Sequence, residues 1–381
     1  MAGLIATYIL AISVFGILAT YLFYPLLQLI RGGRAAVHSP QKELPKVSVL
    51  FAAYNEASIL EEKLASILNS DYPHAQLEII VGSDQSTDET DAIVERFGTQ
   101  FPFVQLFRTP ERSGKSAIMN ILASKATGDI LVCTDANILF QKSTLKELVA
   151  PLSEQNVAAV AGALHYAGAV TNSTSKSESN YLSLENKIRK AESNTYGFCL
   201  GMEGGLYAIR KEAWTPIPPN TFMEDFFQTM RIALSGKRIV FNERAIGLED
   251  VSTSIQEEYK RKIRISIGNF QNLKRFRKVL RTPWKPLGFA FLFHKVLRWL
   301  TPVLAIVACI ASLWTPYWPI TCSIFILLPV TQFLWIKVFP PNALAYFCMM
   351  NLGLLVGLIK YSKGVRSSVW QPTKRKQYES K

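Results

Sequence analysis

The sequence predicts an α/β domain with a mostly parallel sheet, flanked at both ends by hydrophobic transmembrane helices. Two observations support this. Between residues 32 and 284, short apolar segments typical of buried strands alternate with amphipathic helical segments. On either side, residues 4–30 and 287–360 form blocks that are far more apolar than this central region. The sequence therefore divides into four predicted regions: 1–31, a transmembrane helix; 32–284, the α/β domain; 285–363, a membrane region of two or three helices; and 364–381, a basic tail.

The N-terminal block predicts a retained membrane anchor. Residues 4–30 contain no charged side chain. At about 1.5 Å per helical residue, such a segment more than crosses a bilayer core of roughly 30 Å. A cleaved signal peptide would have a basic start, a short apolar centre and a small-residue cleavage site. Because this segment has none of these clearly, a transmembrane helix is the better interpretation.

The C-terminal block contains two good candidate spans and one ambiguous segment. Trp299–Trp314 and Trp318–Phe339 are apolar and flanked by Trp or Tyr, which favour the membrane interface. Ala343–Ile359 is shorter and contains an asparagine and two glycines. It could cross the membrane, or it could lie in the interface.

The positions of basic residues predict how the chain is oriented in the membrane. Arg31 and Arg34 follow the first helix directly, so the positive-inside rule places the α/β domain in the cytoplasm. The tail 364–381 is also basic and should be cytoplasmic, which requires an even number of crossings after the domain. This favours two spans plus an interfacial segment 343–359 over three spans.

The composition indicates which partners and which cellular compartment to expect. The net charge of +13 is concentrated near the apolar blocks, which indicates membrane lipids with anionic headgroups rather than nucleic acid. The five cysteines have no spacing typical of a metal site, and a reducing compartment fits them. The sequence therefore predicts an integral membrane protein, and the localisation we expect is a bacterial inner (plasma) membrane.

Strict alternation of elements predicts βαβ units. Their connections are short, which implies right-handed crossovers, a parallel sheet and helices on both of its faces. The residues around 173–179 are expected to form a mobile loop, before a helix at Tyr181–Ser193. The predicted strands are Val47–Ala53, Leu77–Val81, Phe103–Phe107 and Ile130–Thr134, and the predicted helices between them are 55–70, Asp88–Phe97 and Lys115–Lys125.

Polar residues follow the predicted strands at the points where each strand ends. In open α/β sheets, ligands bind outside the carboxyl ends of the strands, so these residues predict a binding site. They are Tyr54, Asn55 and Glu56 after the first strand, Asp84 after the second, and Asp135 and Asn137 after the fourth.

Two common nucleotide motifs are excluded. The segment RSGKSA resembles the end of a phosphate-binding P-loop, but Thr109 occupies the position of the first glycine. The segment FAAYNEA after the first strand has no glycine, which excludes a dinucleotide fingerprint. A diphosphate could still be held through Mg²⁺ or Mn²⁺, for which Asp135 and Asn137 could supply oxygens.

Six segments in order resemble the family 2 membrane glycosyltransferases, whose catalytic domain has the GT-A fold. This resemblance covers most of the chain. It implies transfer of a sugar from a nucleotide donor, commonly a UDP-sugar, to a lipid-linked or polysaccharide acceptor by an inverting single displacement. The segments are VSVLFAAYNEASILEEKLASIL, IIVGSDQSTDET, RSGKSAIMN, LVCTDAN, GMEGGLYAIRK and FMEDFFQTMRI.

The resemblance also implies roles for individual donor-site residues. Asp135 resembles the ligand of a divalent metal, Mg²⁺ or Mn²⁺, that bridges to the diphosphate. Asn137 stands where many members have a second Asp, so we expect weaker metal binding. The other implied donor-site residues are Tyr54, Asn55 and Glu56 at the nucleoside, Asp84 at the uracil or ribose, Lys115 near the phosphates, and Gly204 and Gly205 at the donor sugar.

Glu224 and Asp225 resemble the catalytic acidic pair of the family, with Asp225 as the general base. A single displacement needs a carboxylate that removes the proton from the attacking hydroxyl. The alternative interpretation is that both residues only favour the N-terminus of a helix, where negative charge interacts well with the helix dipole. The order of the six segments favours the catalytic interpretation.

One departure from the family pattern bears on the product. Processive members carry Q-x-x-R-W after the acidic pair, whereas here Arg261 replaces the Gln, Arg264 matches the Arg and Ile265 replaces the Trp. Arg264 could still reach the diphosphate. The missing Trp argues against a processive synthase that exports its polymer, which is the first alternative. A catalytically inactive membrane scaffold is the second.

Overall fold

A computed structural model describes residues 1–32, 43–167, 173–250, 255–327, 330 and 343–364. These residues form two compact units. The sheet unit contains all the strands and the helices between them. The helical unit contains the N-terminal helix, the start of one long helix up to Tyr181, and the helices from Ile255 onward. Two parts of the predicted domain 32–284, the helix start up to Tyr181 and the segment from Ile255, fall in the helical unit, and the predicted domain limits stay a prediction.

The sheet unit alternates strands and helices along its first half, as the sequence predicts. Its strands are β1 (Val47–Ala53), β2 (Leu77–Ser83), β3 (Val104–Arg108), β4 (Ile130–Thr134), β5 (Ile138–Phe140), β6 (Val157–Ala167), β7 (Leu206–Arg210) and β8 (Arg238–Asp250). Its helices are α2 (Ala57–Leu68), α3 (Thr90–Gln100), α4 (Lys115–Lys125), α5 (Thr144–Val149), α6 (Ser173–Tyr196) and α7 (Glu224–Leu234), of which α6 begins in the helical unit.

The eight strands form one mixed sheet in the order β3-β2-β1-β4-β7-β6-β8-β5. The first four of these pair in parallel, and β6 also pairs in parallel with β8. The pairings β4–β7, β6–β7 and β5–β8 are antiparallel. The predicted α/β class with a mostly parallel sheet is confirmed, and the antiparallel half lies beyond the region whose alternation carried the prediction.

Continuous apolar runs explain the central strands. Every residue of β1, β2 and β4 is buried, which is the pattern of parallel strands covered on both faces. The limits of β1, α4 and β4 agree with the predicted limits. The predicted mobile loop at 173–179 is wrong, because Ser173 already begins α6. That stretch lacks apolar periodicity, so the pattern gave no sign that the helix extends back from Tyr181.

Within the helical unit, two helices are long and apolar enough to cross a membrane among the residues that the structure describes. They are α1 (Ala2–Arg31) and α9 (Pro286–Ser312). The second begins well before the predicted Trp299, with a proline in its first turn, where a missing N–H costs nothing. The next predicted span begins as α10 (Trp318–Cys322) and continues to Leu327, and most of its remainder, like the tail 365–381, lies outside the described residues.

The helical unit also contains α8 (Ile255–Phe276) and α11 (Ala343–Ser362), which pack closely together. A Cβ atom added at Gly357 would lie 2.3 Å from the Cβ of Ser266, so only glycine permits this approach. The Ser266 hydroxyl donates to the Leu354 carbonyl at 2.7 Å. The ambiguous segment 343–359 is therefore helical, and one of its faces is covered by a charged helix.

Candidate active site

The sheet brings the predicted site residues to one edge. Because Ala53 and Ser83 are partners in the parallel pair β1–β2, the residues that follow, Tyr54 and Asp84, leave the sheet side by side. Thr134 is the antiparallel partner of Leu206 in β7. The residues just before β7 therefore lie beside those just after β4. The carboxyl edge that the sequence predicted as a binding site is thus shared with the start of an antiparallel strand.

Lys115 lies between two carboxylates at this edge. Its Nζ is 2.6 Å from Asp135 Oδ1 and 2.6 Å from Glu224 Oε1. Burial would lower the pKa of Lys115, but the charges of Asp135 and Glu224 outweigh burial and raise it above its usual value. Lys115 is therefore a permanent cation that holds the end of β4 and the start of α7 together.

Asp84 is fully buried and fixes the loop that leads to Lys115. Its two oxygens accept from the N–H groups of Ser113, at 2.7 Å, and Gly114, at 3.2 Å. Gly114 adopts a φ of 79°, which favours glycine, directly before α4 begins at Lys115. The side chain of Asp84 thus shapes the site through this loop, and its predicted contact with a base or ribose stays a prediction.

The guanidinium group of Arg112 stacks on the ring of Tyr54. The Cζ atom of Arg112 is 3.3 Å from the ring centroid of Tyr54, and the Nε of Arg112 donates to Asp84 at 3.2 Å. Arg112 is not among the residues predicted for the site, although it lies in the segment RSGKSA. A flat, cationic surface is thereby built where the nucleoside pocket was predicted.

Asn55 and Glu56 shape the turn after β1. Asn55 has a φ of 53°, and its Oδ1 accepts from the Thr87 N–H at 2.8 Å. The N–H of Glu56 donates to the Thr90 hydroxyl at 2.9 Å just before α2 begins. These bonds join the loops after β1 and β2, so both predicted residues lie at the edge.

Asp225 is a buried carboxylate with an unusual pKa. Its Oδ2 accepts from the Gly204 N–H at 2.7 Å, and its Oδ1 accepts from the Phe226 N–H at 2.7 Å. Burial and the adjacent charge of Glu224 raise the pKa of Asp225 to about 7, although the charge of Lys115 and the two N–H donors act in the opposite direction. A carboxylate with a pKa near neutrality is suited to act as a general base.

Glu224 and Asp225 open α7, so the helix-terminus interpretation of these residues holds as well. The two interpretations are compatible, because the residue type that favours the helix N-terminus also faces the site. Glu224 contacts Lys115, and Asp225 contacts the loop before β7.

The two glycines before β7 have different reasons to lack a side chain. A Cβ at Gly204 would lie 3.2 Å from both Asp225 Oδ2 and Lys115 Nζ, so this glycine borders the charged groups. A Cβ at Gly205 would lie 3.0 Å from Leu164 and 3.1 Å from Ile138. Packing explains Gly205, whereas Gly204 borders the charged groups of the site, and its predicted role at the donor sugar stays a prediction.

The loop before these glycines is anchored by α6. Glu192 accepts from the Leu200 N–H at 2.8 Å, and Arg189 forms an ion pair with Glu203. The N–H of Met202 donates to Thr229 at 3.0 Å on α7. The sequence placed a helix at Tyr181–Ser193 without a role in the site, and these anchors could not be recognised from spacing.

Lys63 is a second lysine at this edge, and it is not among the residues predicted for the site. It is 0% exposed on α2, and its Nζ donates to the Thr134 hydroxyl at 2.9 Å and to the Ile138 carbonyl. Burial lowers the pKa of Lys63 well below its usual value, while the charge of Asp135 acts in the opposite direction. The signal was available, because Lys63 lies on the apolar helix face between Leu60 and Ile67.

Asp135 and Asn137 are the two residues predicted to bind a metal, and this role stays a prediction. Asp135 is 39% exposed, so part of its carboxylate faces solvent, although Lys115 occupies one oxygen. The Asn137 amide donates to Glu249 on β8 at 3.4 Å. Within the described ranges, no three His, Cys, Asp or Glu side chains group together as a metal site. One accessible carboxylate with an amide nearby fits a hard cation that takes most of its ligands from a diphosphate and water.

Arg264 lies on α8, in the helical unit. Its predicted contact with the diphosphate stays a prediction. All the other predicted site residues belong to the sheet unit, and Lys115, Asp135, Glu224, Asp225 and Gly204 are brought together by it.

The fold and this edge define an α/β domain of the GT-A class. Residues 48–213 match the family described as Glycosyl transferase family 2, so the chain carries a domain of that family. The resemblance found from the six segments is thereby confirmed.

Individual proteins similar to this chain are also named as glycosyltransferases or as a glycolipid synthase. The chain is 36% identical over 125 residues to the probable glycosyltransferase YdaM of Bacillus subtilis, which covers 32% of this chain and 30% of YdaM. It is 24% identical over 284 residues to the beta-monoglucosyldiacylglycerol synthase of Synechocystis sp., which covers 72% of this chain and 59% of that protein. The chain thus spans less than two thirds of the length of these relatives.

A solved structure is similar over nearly its whole length. The mannosyltransferase PcManGT from Pyrobaculum calidifontis, in complex with GDP-Man and Mn²⁺, is 25% identical with a TM-score of 0.68. The match covers 93% of this chain and 99% of that one.

Proposed function

We propose that this protein is a membrane-bound inverting glycosyltransferase. It transfers a sugar from a nucleoside diphosphate sugar to a lipid-linked or polysaccharide acceptor. One observation carries this proposal: a buried carboxylate with a pKa of about 7, Asp225, lies in the same cluster as a lysine that can face a diphosphate, Lys115. A base and a cation in one cluster are what a single displacement at a sugar diphosphate requires.

The chemistry follows from these two groups. The Asp225 carboxylate takes the proton of an acceptor hydroxyl as its oxygen attacks the anomeric carbon. The bond between that carbon and the diphosphate oxygen breaks, and the anomeric configuration inverts. Lys115 offsets the negative charge that builds on the leaving diphosphate.

The same cluster includes the residues that would hold a divalent cation, Mg²⁺ or Mn²⁺. Asp135 would hold it, with Asn137 as the second oxygen donor, and the cation would supply further positive charge to the leaving group. The presence of Mn²⁺ in the PcManGT complex is consistent with this assignment.

The donor base is an open part of the proposal. The resemblance predicts a UDP-sugar, whereas PcManGT was determined with GDP-Man. Tyr54 and Arg112 present a stacking surface that either base could use. Parallel assays with UDP-sugars and GDP-sugars separate these two donors.

The acceptor side is argued from the helices and one relative. α1 and α9 are suited to span a membrane, and the Synechocystis relative is named for a glucosyl diacylglycerol product. A membrane-embedded acceptor, lipid-linked or growing glycan, fits both. Ile265 in place of the Trp of processive members favours addition of few sugars over long-chain synthesis.

The test is a transfer assay with labelled nucleotide sugars, using the full chain in membranes or detergent. Asp225→Asn should abolish transfer and leave nucleotide binding nearly unchanged. Asp71→Asn is the matched control, because Asp71 is exposed and lies outside the cluster. Turnover in Asp225→Asn would show that Asp225 is not the base, and no transfer from any donor by the wild type would favour the inactive scaffold.

A second variant tests the cation. Asp135→Ala should remove the Mn²⁺-dependent part of nucleotide affinity. Unchanged Mn²⁺-dependent affinity in this variant would contradict the assignment of Asp135 as metal ligand.

A further inference from the structure

Lys63 is a buried charged group to which the proposed reaction assigns no step. It lies on α2, with no exposed surface, among apolar neighbours of the central core. Placing an ammonium group there is costly unless its donors are satisfied. A methionine or leucine would suit the same apolar face of α2, so packing alone does not explain why a lysine is present.

We propose that Lys63 is a positioning residue that holds the donor- and metal-binding loop, Thr134–Ile138, and couples it to the loop that supports the base. This inference rests on the proposed function, because it concerns the same site.

The contacts of the ammonium group place it beneath the loop. Its Nζ donates to the Thr134 hydroxyl at 2.9 Å and to the Ile138 carbonyl. These two residues bracket the segment that contains Asp135 and Asn137. One side chain therefore ties both ends of that segment to α2, which limits how far Asp135 can move.

The aromatic neighbours of Lys63 complete the site of the ammonium. The Nζ lies 4.0 Å from the ring centroid of Phe140 and 5.7 Å from that of Phe51. Such contacts stabilise a cation that is removed from water. A hydroxyl, a carbonyl and a ring face thus surround the buried ammonium group.

The network continues from Thr134 to the base. The Thr134 hydroxyl donates to the Gly205 carbonyl at 2.7 Å. The neighbouring Gly204 donates its N–H to Asp225 at 2.7 Å. A displacement of Thr134 would therefore reach both the Asp135 side and the Asp225 side of the site, since both loops meet at this hydroxyl.

The variant Lys63→Met tests this role, because methionine fills similar space without a donor. We expect a folded protein with wild-type or higher thermal stability. Its affinity for Mn²⁺-nucleotide should fall by about tenfold or more, as for the loss of other groups that orient metal ligands. Lys125→Met is the matched control, because Lys125 also lies over a ring, that of Phe107 at 5.0 Å, but is exposed at the end of α4.

The readout is calorimetric binding of UDP or GDP with Mn²⁺, per folded molecule, together with kcat and KM. A merely structural role would lower the folded fraction without changing affinity per folded molecule. Wild-type affinity and kcat in folded Lys63→Met would overturn the proposal for Lys63. Such a result would leave the proposed function intact as long as Asp225→Asn remains inactive.

A second pair of variants keeps the proposal testable if Lys63→Met does not fold. Thr134→Val removes the shared hydroxyl, whereas Thr134→Ser retains it. We expect Thr134→Val to weaken Mn²⁺-nucleotide binding and Thr134→Ser to bind like the wild type. Equal binding by both variants would overturn the proposed coupling.

Discussion

The ammonium group of Lys115 lies 2.6 Å from the carboxylate of Asp135. The residue assigned to hold a divalent cation is thus already neutralised by a cation of the protein. Lys115 also contacts Glu224 at the start of α7. A diphosphate that approaches this lysine would compete with Asp135 for it, which makes cation binding and nucleotide binding interdependent.

The first prediction concerns this competition. Mn²⁺ alone should bind weakly to the wild type, and nucleoside diphosphate should strengthen its binding. In Lys115→Met, free Mn²⁺ should bind more tightly because Asp135 is released, and Mn²⁺-nucleotide should bind roughly tenfold or more weakly, a change of about 1.4 kcal/mol per factor of ten. Electron paramagnetic resonance of Mn²⁺ with and without nucleotide measures both effects.

Lys125→Met serves as the control here too, since it removes a lysine from the other end of α4. The idea of competition would be contradicted by tight Mn²⁺ binding to the wild type without nucleotide. Weaker binding of free Mn²⁺ in Lys115→Met would contradict it equally.

The second prediction is a pH profile. Asp225 has a pKa of about 7 and must be deprotonated to act as a base, so kcat/KM should rise with pH through a limb near that value. Glu224 raises this pKa through its charge. Glu224→Gln should therefore move the limb to lower pH while also reducing the maximum rate.

Initial rates across the neutral pH range, at saturating Mn²⁺, measure the limb. Asp71→Asn should leave its position unchanged. A flat profile through neutrality, or a limb that moves to higher pH in Glu224→Gln, would show that the limb does not report Asp225.

The sheet half that carries the predicted donor-site residues was predictable from local signals. Buried strands such as β1 and β4 are continuous apolar runs bounded by polar residues, and their helices have a clear apolar face. The antiparallel half was not predictable in this way. Its long strand β8 mixes charged and apolar residues, and its partner β5 has only three residues.

The site divides along similar lines. Residues at strand ends, such as Asp84 and Asp135, could be located because ligands bind at the carboxyl ends of the strands in such a sheet. Lys63 and Arg112 act through contacts with residues distant in sequence, Thr134 and Tyr54, so no local spacing identifies them. The buried state of Lys63 was implied by its helix face, but its partners were not.

The third prediction concerns Asn137, which stands where many members of the family have a second Asp. Its amide donates to the buried Glu249 at 3.4 Å, so an aspartate at this position would face another carboxylate. Asn137→Asp alone should not tighten Mn²⁺-nucleotide binding, because the two like charges repel. Combined with Glu249→Gln, the same substitution should tighten it.

The double-mutant cycle of Asn137→Asp and Glu249→Gln isolates this coupling. Calorimetric Mn²⁺-nucleotide affinity of the four proteins is the measurement. Tighter binding in Asn137→Asp alone, with no further gain from Glu249→Gln, would mean that Glu249 does not determine the choice of residue 137.

The fourth prediction concerns the contact between α8 and α11. A Cβ at Gly357 would lie 2.3 Å from the Cβ of Ser266, whereas a Cβ at Gly353 would lie 3.2 Å from the Cβ and the Cγ of Lys262. Gly357→Ala should therefore destabilise the protein by about 1–3 kcal/mol, as overpacking does. Gly353→Ala should have a smaller effect, because a contact of 3.2 Å is relieved by a shift of a few tenths of an ångström.

The measurement is thermal unfolding of these two variants in detergent, monitored by a fluorescent size-exclusion assay. A wild-type midpoint for Gly357→Ala would indicate that α8 and α11 are not in this close contact.

The last prediction concerns membrane topology. Lys262 and Ser266 of the charged helix α8 pack directly on Gly353 and Gly357 of α11. A helix held against so charged a partner is better suited to the interface than to the hydrocarbon core. With α1, α9 and the segment from Trp318 as the crossings, the C-terminus should then be cytoplasmic.

Full-length fusions test this arrangement. A green fluorescent protein fused after residue 381 should fluoresce, and alkaline phosphatase at the same position should be inactive. As the matched control, alkaline phosphatase inserted after Thr315, between α9 and α10, should be active because this turn would lie on the opposite side. Active phosphatase at the C-terminus would instead mean that α11 crosses the membrane, because a third crossing after the sheet unit reverses the side of the tail.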